Sequence, residues 1–184
     1  MGAIDILEEF GFLLIFSLWR KHASGSALDA FRQMHEMGYE LIREGRYSIA
    51  ERLLGHFISI KDAAKTDELQ KTMIVNRANA LKKGDVNSDW RALLAETDWS
   101  ATGDHFKFCV AAVEEDIDAV VRLLPRAVGG DKNIKPDDFR QWPVFDWVRG
   151  NPKVVDAFES HLSEPLNRDV SSGSVSDAVA RSLH

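Results

Sequence analysis

Apolar side chains recur every three or four residues through the middle of the chain, a spacing that places them on one face of a helix. Six such runs occur, at residues 28–42, 49–58, 71–83, 88–95, 106–113 and 117–124. Short turns at Gly45, Gly84 and Glu115 join these runs in pairs. No stretch shows the alternation of apolar and polar residues that is typical of a strand. The pattern therefore predicts an all-α protein with three helical hairpins over residues 27–128.

An apolar run of a different kind lies near the start of the chain. Residues 10–19 include eight large apolar side chains, and Arg20 and Lys21 follow them. A helix that crosses a bilayer needs roughly 20 apolar residues, so this run is too short to span one alone. We predict that residues 1–24 form an apolar helix that caps the fold or docks on a partner. The alternative is a helix on a membrane surface, with contact through residues 10–21.

The end of the chain is divided by loops and is rich in aromatic residues. Gly129 and Gly130 separate it from the hairpins, and Trp142 and Trp147 lie in an aromatic stretch around Pro143. We predict a subdomain of capping helices at residues 129–162, because a stack of hairpins needs a cover for its last apolar face. The other interpretation is that Trp142 and Trp147 grip a partner, since Trp is frequent at interface hot spots. Residues 163–184 are polar and are predicted to be a mobile tail.

The first hairpin carries small and aromatic residues at positions where two helices and their turn need them. Gly38 and Ala50 are small enough for close helix contact, Gly45 permits a left-handed turn, and Tyr47 fills that turn. Together with large residues at Met34, Met37, Leu41, Leu54 and Phe57, this pattern resembles a tetratricopeptide repeat.

The two later hairpins match the repeat at fewer positions. Their turns follow at spacings of 39 and 31 residues, whereas the repeat has about 34. Arg77 and Asp89 stand where small residues belong. The resemblance covers residues 28–127, and it implies an α-solenoid of stacked hairpins. A generic helical bundle is the alternative fold.

The resemblance also implies a function and a set of residues. Stacked hairpins present a concave face that holds a peptide or a partner helix, and polar residues of the first helices line it. Asn76 and Asn79 are the strongest candidates, because inward-facing Asn clamps a peptide backbone in such proteins; the alternative is that both lie on a solvated helix face. The candidate partner-binding residues are Asn76, Asn79, Arg43, Arg77, Lys83, Trp142 and Trp147.

Composition and charge add limits on the partner. The 184 residues include 23 basic and 29 acidic side chains, a net charge of −6. Residues 1–83 carry 12 basic and 11 acidic side chains, whereas residues 84–184 carry 11 and 18. This balance disfavours nucleic acid as a partner, because phosphate binding needs clustered Lys and Arg. It leaves open a second interpretation, in which the chain is an accessory, immunity or effector-type protein whose acidic second half engages a basic partner.

No catalytic, metal or cofactor motif stands out in the sequence. His35 and Glu36 begin a zinc-peptidase pattern, but Tyr39 occupies the place of its second His. His105 and Cys109 have the spacing of a dyad on one helix face, yet Cys109 lies in an apolar run and is predicted to be a core residue. A single cysteine cannot form an intramolecular disulfide, so we expect a cytoplasmic location. The sequence predicts a non-catalytic interaction module or scaffold without cofactor or metal.

Overall fold

The computed structural model describes residues 27–60, 66–84 and 89–166. The predictions for residues 1–24, and for the tail beyond residue 166, lie outside this part. The α-helices of the described part are α1 (Ala27–Arg43), α2 (Tyr47–Ser59), α3 (Asp67–Lys83), α4 (Trp90–Ala95), α5 (Asp104–Glu114), α6 (Ile117–Ala127), α7 (Pro136–Gln141) and α8 (Pro152–Leu162). A 3₁₀ turn, Pro143–Phe145, lies between the last two.

The all-α prediction is confirmed for the part of the chain that the structure describes. Its one β-type contact is an isolated bridge between Val128 and Ile134, which belongs to no strand. None of the helices described is both long enough and apolar enough to cross a membrane.

The first hairpin forms as the spacing of its small residues predicts. Gly38 of α1 packs directly on Leu54 of α2, and a Cβ atom at Gly38 would lie only 2.7 Å from Leu54 Cδ2. Ala50 of α2 is completely buried. Gly45 has a φ of +75°, the left-handed conformation that glycine adopts without steric cost. The close approach of the two helices therefore follows from these small residues.

The other two turns use different geometry. Gly84 ends α3 with a right-handed φ of −74°, so the second turn does not need its glycine for a left-handed conformation. Glu115 ends α5 with a φ of 59°, which is uncommon for a residue other than Gly, Asn or Asp. Asp116 follows as the N-cap of α6, where its side chain accepts a hydrogen bond from the Ala119 N–H.

Helix α3 connects two apolar cores. The N-terminal core contains Met73 and Ala80 of α3 together with buried residues of α1 and α2. The C-terminal core contains Ile74, Val75 and Ala78 of the same helix together with residues from α4 to Leu166. Because α3 buries side chains on two faces, it packs against the first hairpin on one face and against the rest of the described chain on the other.

The aromatic stretch near the end of the chain completes the C-terminal core. Phe139 of α7, Phe145 of the 3₁₀ turn and Phe158 of α8 are fully buried with Phe108 of α5. The ring centroids of Phe139 and Phe145 are 4.8 Å apart, and those of Phe108 and Phe145 are 5.3 Å apart. These aromatic side chains therefore form one core with the third hairpin.

Packing continues past residue 163, where the sequence predicts the start of the tail. Leu166 is buried, and the Arg140 guanidinium donates hydrogen bonds to the carbonyl oxygens of Pro165 and Leu166. The same guanidinium lies 2.9 Å from the Glu164 carboxylate. These contacts extend the packed C-terminal part to Leu166, because Arg140 reaches across from α7.

Candidate functional site

A cleft of about 400 Å³ lies across the first helices of the three hairpins, α1, α3 and α5. The Trp142–Val144 segment closes one of its sides. Its apolar surface comes from Val75, Phe106, Cys109, Ile134, Trp142, Pro143 and Val144. Its polar surface comes from His35, Glu36, Tyr39, Glu68, Thr72, Asn76, His105 and Asn133. The cleft is therefore apolar inside with a few polar groups, the usual character of a ligand site.

A histidine–asparagine pair joins α1 to α3 inside this cleft. The Asn76 Nδ2 and His35 Nε2 atoms are 3.0 Å apart. Burial lowers the pKa of His35 from 6.5 to about 4, because a charged imidazolium loses its hydration there. A neutral His35 accepts at Nε2 the hydrogen that the Asn76 amide donates. The pair thus presents a fixed, uncharged polar group at neutral pH.

A second pair of the same type joins α5 to the loop after α6. The Asn133 Nδ2 and His105 Nδ1 atoms are 2.7 Å apart. Burial lowers the pKa of His105, although the nearby carboxylates of Glu68 and Asp104 act in the opposite direction. The His105 ring also lies on Phe106, with ring centroids 4.3 Å apart. Asn133 thereby ties the loop after α6 to the wall of the cleft.

Tyr39 and Trp142 lie on α1 and on the closing segment respectively. Burial is the main reason why the pKa of Tyr39 is raised. The Arg43 guanidinium lies 5.9 Å from the centroid of the Tyr39 ring. Trp142 stacks on Phe145 at 6.1 Å and 9° between ring planes. Both residues are half-buried, and both line the cleft.

Three of the residues predicted to bind a partner, Asn79, Lys83 and Trp147, lie close to one another. The Trp147 Nε1 atom donates a 2.8 Å hydrogen bond to Asn79 Oδ1, and Asn79 is only 1% exposed. The Lys83 ammonium lies 2.6 Å from Asp146 and 5.1 Å from the centroid of the Trp147 ring. The aromatic stretch therefore covers this part of α3, and Asn79 is not accessible to a partner.

The remaining predicted residues divide between the cleft and other surfaces. Asn76 and Trp142 line the cleft. The Arg77 guanidinium is bound to the Glu51 carboxylate of α2 at 2.6 Å. Arg43 is exposed and pairs with Glu40 on its own helix at 3.0 Å. The structure thus brings Asn76 and Trp142 to one site and places Arg77 on the contact between α2 and α3.

Sequence reasoning does not select the two histidines that pair with asparagines. It considers His35 and His105 only as parts of metal or thiol motifs. One signal in the sequence could have pointed to His35. The helical period places His35 and Tyr39 on the same face of α1. In the described part of the chain, no three His, Cys, Asp or Glu residues are grouped so that they could hold a metal ion.

The prediction that Cys109 is a core residue is confirmed. Its side chain is buried in the C-terminal core, with one edge at the cleft. Burial raises the pKa of its thiol to about 12. Because the thiolate is the nucleophilic form, a thiol that stays protonated at neutral pH is a poor nucleophile.

No family model, curated protein or solved structure matches this chain. The function therefore has to be inferred from the cleft and its chemistry.

Proposed function

We propose that this protein is a non-catalytic interaction module that binds a peptide or a partner helix in the cleft across α1, α3 and α5. The observation that carries the proposal is the position of the cleft. It runs over the first helix of each consecutive hairpin, which is the face that tetratricopeptide-like stacks present to peptides. A cytoplasmic location, expected from the single cysteine, is part of the proposal.

The size and lining of the cleft support a peptide more than a flat protein surface. A volume of about 400 Å³ is within the range of sites that enclose a small ligand or a few side chains. Fixed polar groups at His35–Asn76 and His105–Asn133 can hydrogen-bond a peptide backbone beside the apolar floor. The proposed contact set therefore includes Asn76 and Trp142 from the sequence prediction and adds both histidines.

A substitution that fills the cleft tests the proposal. Thr72 of α3 lines the cleft, and its hydroxyl donates a hydrogen bond to the Glu68 carbonyl of its own helix. Short peptides are selected from a random displayed library against the full chain, and their affinities are measured by isothermal titration calorimetry. We expect Thr72→Tyr to weaken the selected peptides by at least about tenfold, because the new ring occupies their site.

The matched control is Thr72→Val, which keeps the volume of the side chain and leaves the cleft open. It should change the affinity by less than about threefold. Peptides that bind wild type and Thr72→Tyr equally well would show that the cleft is not the binding site. The melting temperature of each variant verifies that the fold is retained.

A further inference from the structure

The polar rim of the cleft has charge of one sign. Glu36 of α1 and Glu68 of α3 both line it and are exposed. Among the described residues that line the cleft there is no Lys or Arg. His35 and His105 do not offset the carboxylates at neutral pH, because burial lowers the pKa of each imidazole. At neutral pH the charged side chains that line the cleft are therefore the two carboxylates.

These two carboxylates also differ from other carboxylates on the same helices and their neighbours. Glu40, Glu51 and Asp67 all form ion pairs, with Arg43, Arg77 and Lys71 respectively. Within residues 27–60, 66–84 and 89–166, neither Glu36 nor Glu68 pairs with a cation of the chain. Two carboxylates that have no cation partner among the described residues, at the edge of an apolar cleft, can meet a cation from outside.

We propose that the partner segment places apolar side chains in the cleft and carries an adjacent Lys or Arg that Glu36 and Glu68 bind. The inference rests on the proposed function, and it adds the chemistry of the ligand. The apolar part contacts Val75, Phe106 and Val144, and the cation remains at the exposed rim. Opposite charge at a rim mainly selects partners and orients them, whereas the apolar floor supplies most of the affinity.

Three pools of synthetic peptides separate the apolar contribution from the charge contribution. Every pool has the same run of positions drawn from Leu, Ile, Phe and Trp between Gly-Ser spacers. The pools differ only in their last two residues, which are Lys-Arg, Ser-Gln or Glu-Asp. Affinity is measured by fluorescence anisotropy with the full chain at low salt and at about 0.5 M salt, where the Debye length is only a few ångströms.

We expect the Lys-Arg pool to bind roughly tenfold more tightly than the Glu-Asp pool at low salt, with the Ser-Gln pool between them. The difference should fall to about twofold or less at high salt, because exposed charges are screened. In the double variant Glu36→Gln, Glu68→Gln the three pools should bind within about twofold of one another at low salt.

The control double variant Glu96→Gln, Glu114→Gln removes the same net charge from exposed positions outside the cleft. It should retain the preference for the Lys-Arg pool. An equal loss of that preference in the control would overturn the inference, since the overall acidity of the chain would then explain it.

The remaining outcomes distinguish the two proposals. If the Ser-Gln and Lys-Arg pools bind equally well, and Thr72→Tyr abolishes both, the cleft binds peptides but does not select a cation. If none of the three pools binds, the proposed function is wrong together with the inference.

Discussion

Asn79 shows how a single side chain can have a structural role that its sequence position does not reveal. Asn79 is buried, and its Oδ1 atom accepts the indole hydrogen of Trp147. Its Nδ2 atom has no hydrogen-bond partner among the described residues. Burying an amide N–H group without a hydrogen-bond partner lowers stability. The hydrogen bond from Trp147 to Oδ1 offsets part of that loss. Asn79 is therefore part of the packing between α3 and the Trp147 segment.

The hydrogen bond between Trp147 and Asn79 leads to a prediction about stability. Asn79→Ala and Trp147→Phe should each lower the free energy of unfolding by about 1–3 kcal/mol, since each leaves one polar partner unpaired. The double variant should lose about 1 kcal/mol less than the sum of the single losses, because the same bond is removed in each. Urea denaturation of the four proteins measures this coupling.

Gln70→Ala is the control for Asn79→Ala, because it also removes a carboxamide side chain from α3. Gln70 is half-buried near the start of the helix, and we expect its replacement to cost below about 1 kcal/mol. Equal losses at both positions would contradict the assignment of Asn79 to the core.

His35 gives a prediction about the pH dependence of stability. Burial lowers its pKa to about 4 in the folded chain, whereas an imidazole exposed in the unfolded chain has the ordinary pKa of 6.5. Protons therefore bind the unfolded chain more tightly, and stability is lost as the pH falls from 6.5 toward 4. By pH 5 the loss due to His35 should reach about 2 kcal/mol relative to pH 7.

Urea denaturation at pH 7 and pH 5 measures this loss. His35→Gln should reduce the difference between the two pH values by that amount, because glutamine does not titrate. His56→Gln, at an exposed position of α2, is the control. A pH dependence that is unchanged in His35→Gln would show that His35 is not buried as a neutral imidazole.

At the scale of the element, most helices could be predicted because each buries a periodic apolar face. Helices α1, α2, α5 and α6 lie where the spacing predicts them. Helix α3 begins at Asp67, four residues before the predicted start. Leu69 is the one apolar residue in its first turn, and a single residue shows no period, so only the cap signals were available. Thr66 supplies that cap, and its side chain accepts a hydrogen bond from the Leu69 N–H.

The cover over α3 could not be predicted in the same way. Trp147 and Asn79 lie 68 residues apart, and helical periodicity contains no information about contacts at that distance. The sequence indicated an aromatic cap near the end of the chain and a polar face on α3. It did not indicate that the aromatic cap would cover part of that face. The full lining of the cleft could not be predicted for the same reason, because five separate segments form it.

The contact between α1 and α2 carries a prediction at this scale. Gly38→Ala should lower the free energy of unfolding by about 1–2 kcal/mol, although alanine favours a helix over glycine by about 1 kcal/mol. The new Cβ would lie 2.7 Å from Cδ2 of Leu54. Leu54 is only 1% exposed and has little room to move.

Gly150→Ala is the matched control, since a Cβ at Gly150 would meet nothing within 4 Å. It should change stability by no more than about 0.5 kcal/mol. Thermal or urea denaturation of both variants makes the comparison. If Gly38→Ala were as mild as Gly150→Ala, close packing of the two helices would not be what selects glycine at this position.

At the scale of the whole molecule, the aromatic stretch and the third hairpin are parts of one core. Phe108 of α5 contacts the rings of Phe139 and Phe145, and Phe158 stacks on Phe139 at 5.3 Å. Helix α3 joins this core to the smaller one between α1 and α2. The predicted boundary at residues 128 and 129 therefore crosses a continuous apolar core.

This continuity predicts what happens when the chain is shortened. A chain that ends at Val128 loses Phe139, Phe145 and Phe158, and removing even one buried Phe side chain costs about 3–5 kcal/mol. Since domains are stable by only about 5–15 kcal/mol, we expect this shortened chain to lose its cooperative thermal transition. It should also bind a dye for exposed apolar surface, as loosely packed states do.

A chain that ends at Leu166 is the control, because it keeps every residue of the C-terminal core, including Leu166 itself. Circular dichroism should give it the melting temperature of the full chain within a few degrees, which corresponds to less than about 1 kcal/mol. If the chain ending at Val128 unfolded cooperatively near that temperature, residues 27–128 would be an independent repeat domain. In that case the aromatic stretch would only cover a stack that already stands alone, and the rings of Phe139, Phe145 and Phe158 would not be needed to hold the third hairpin together.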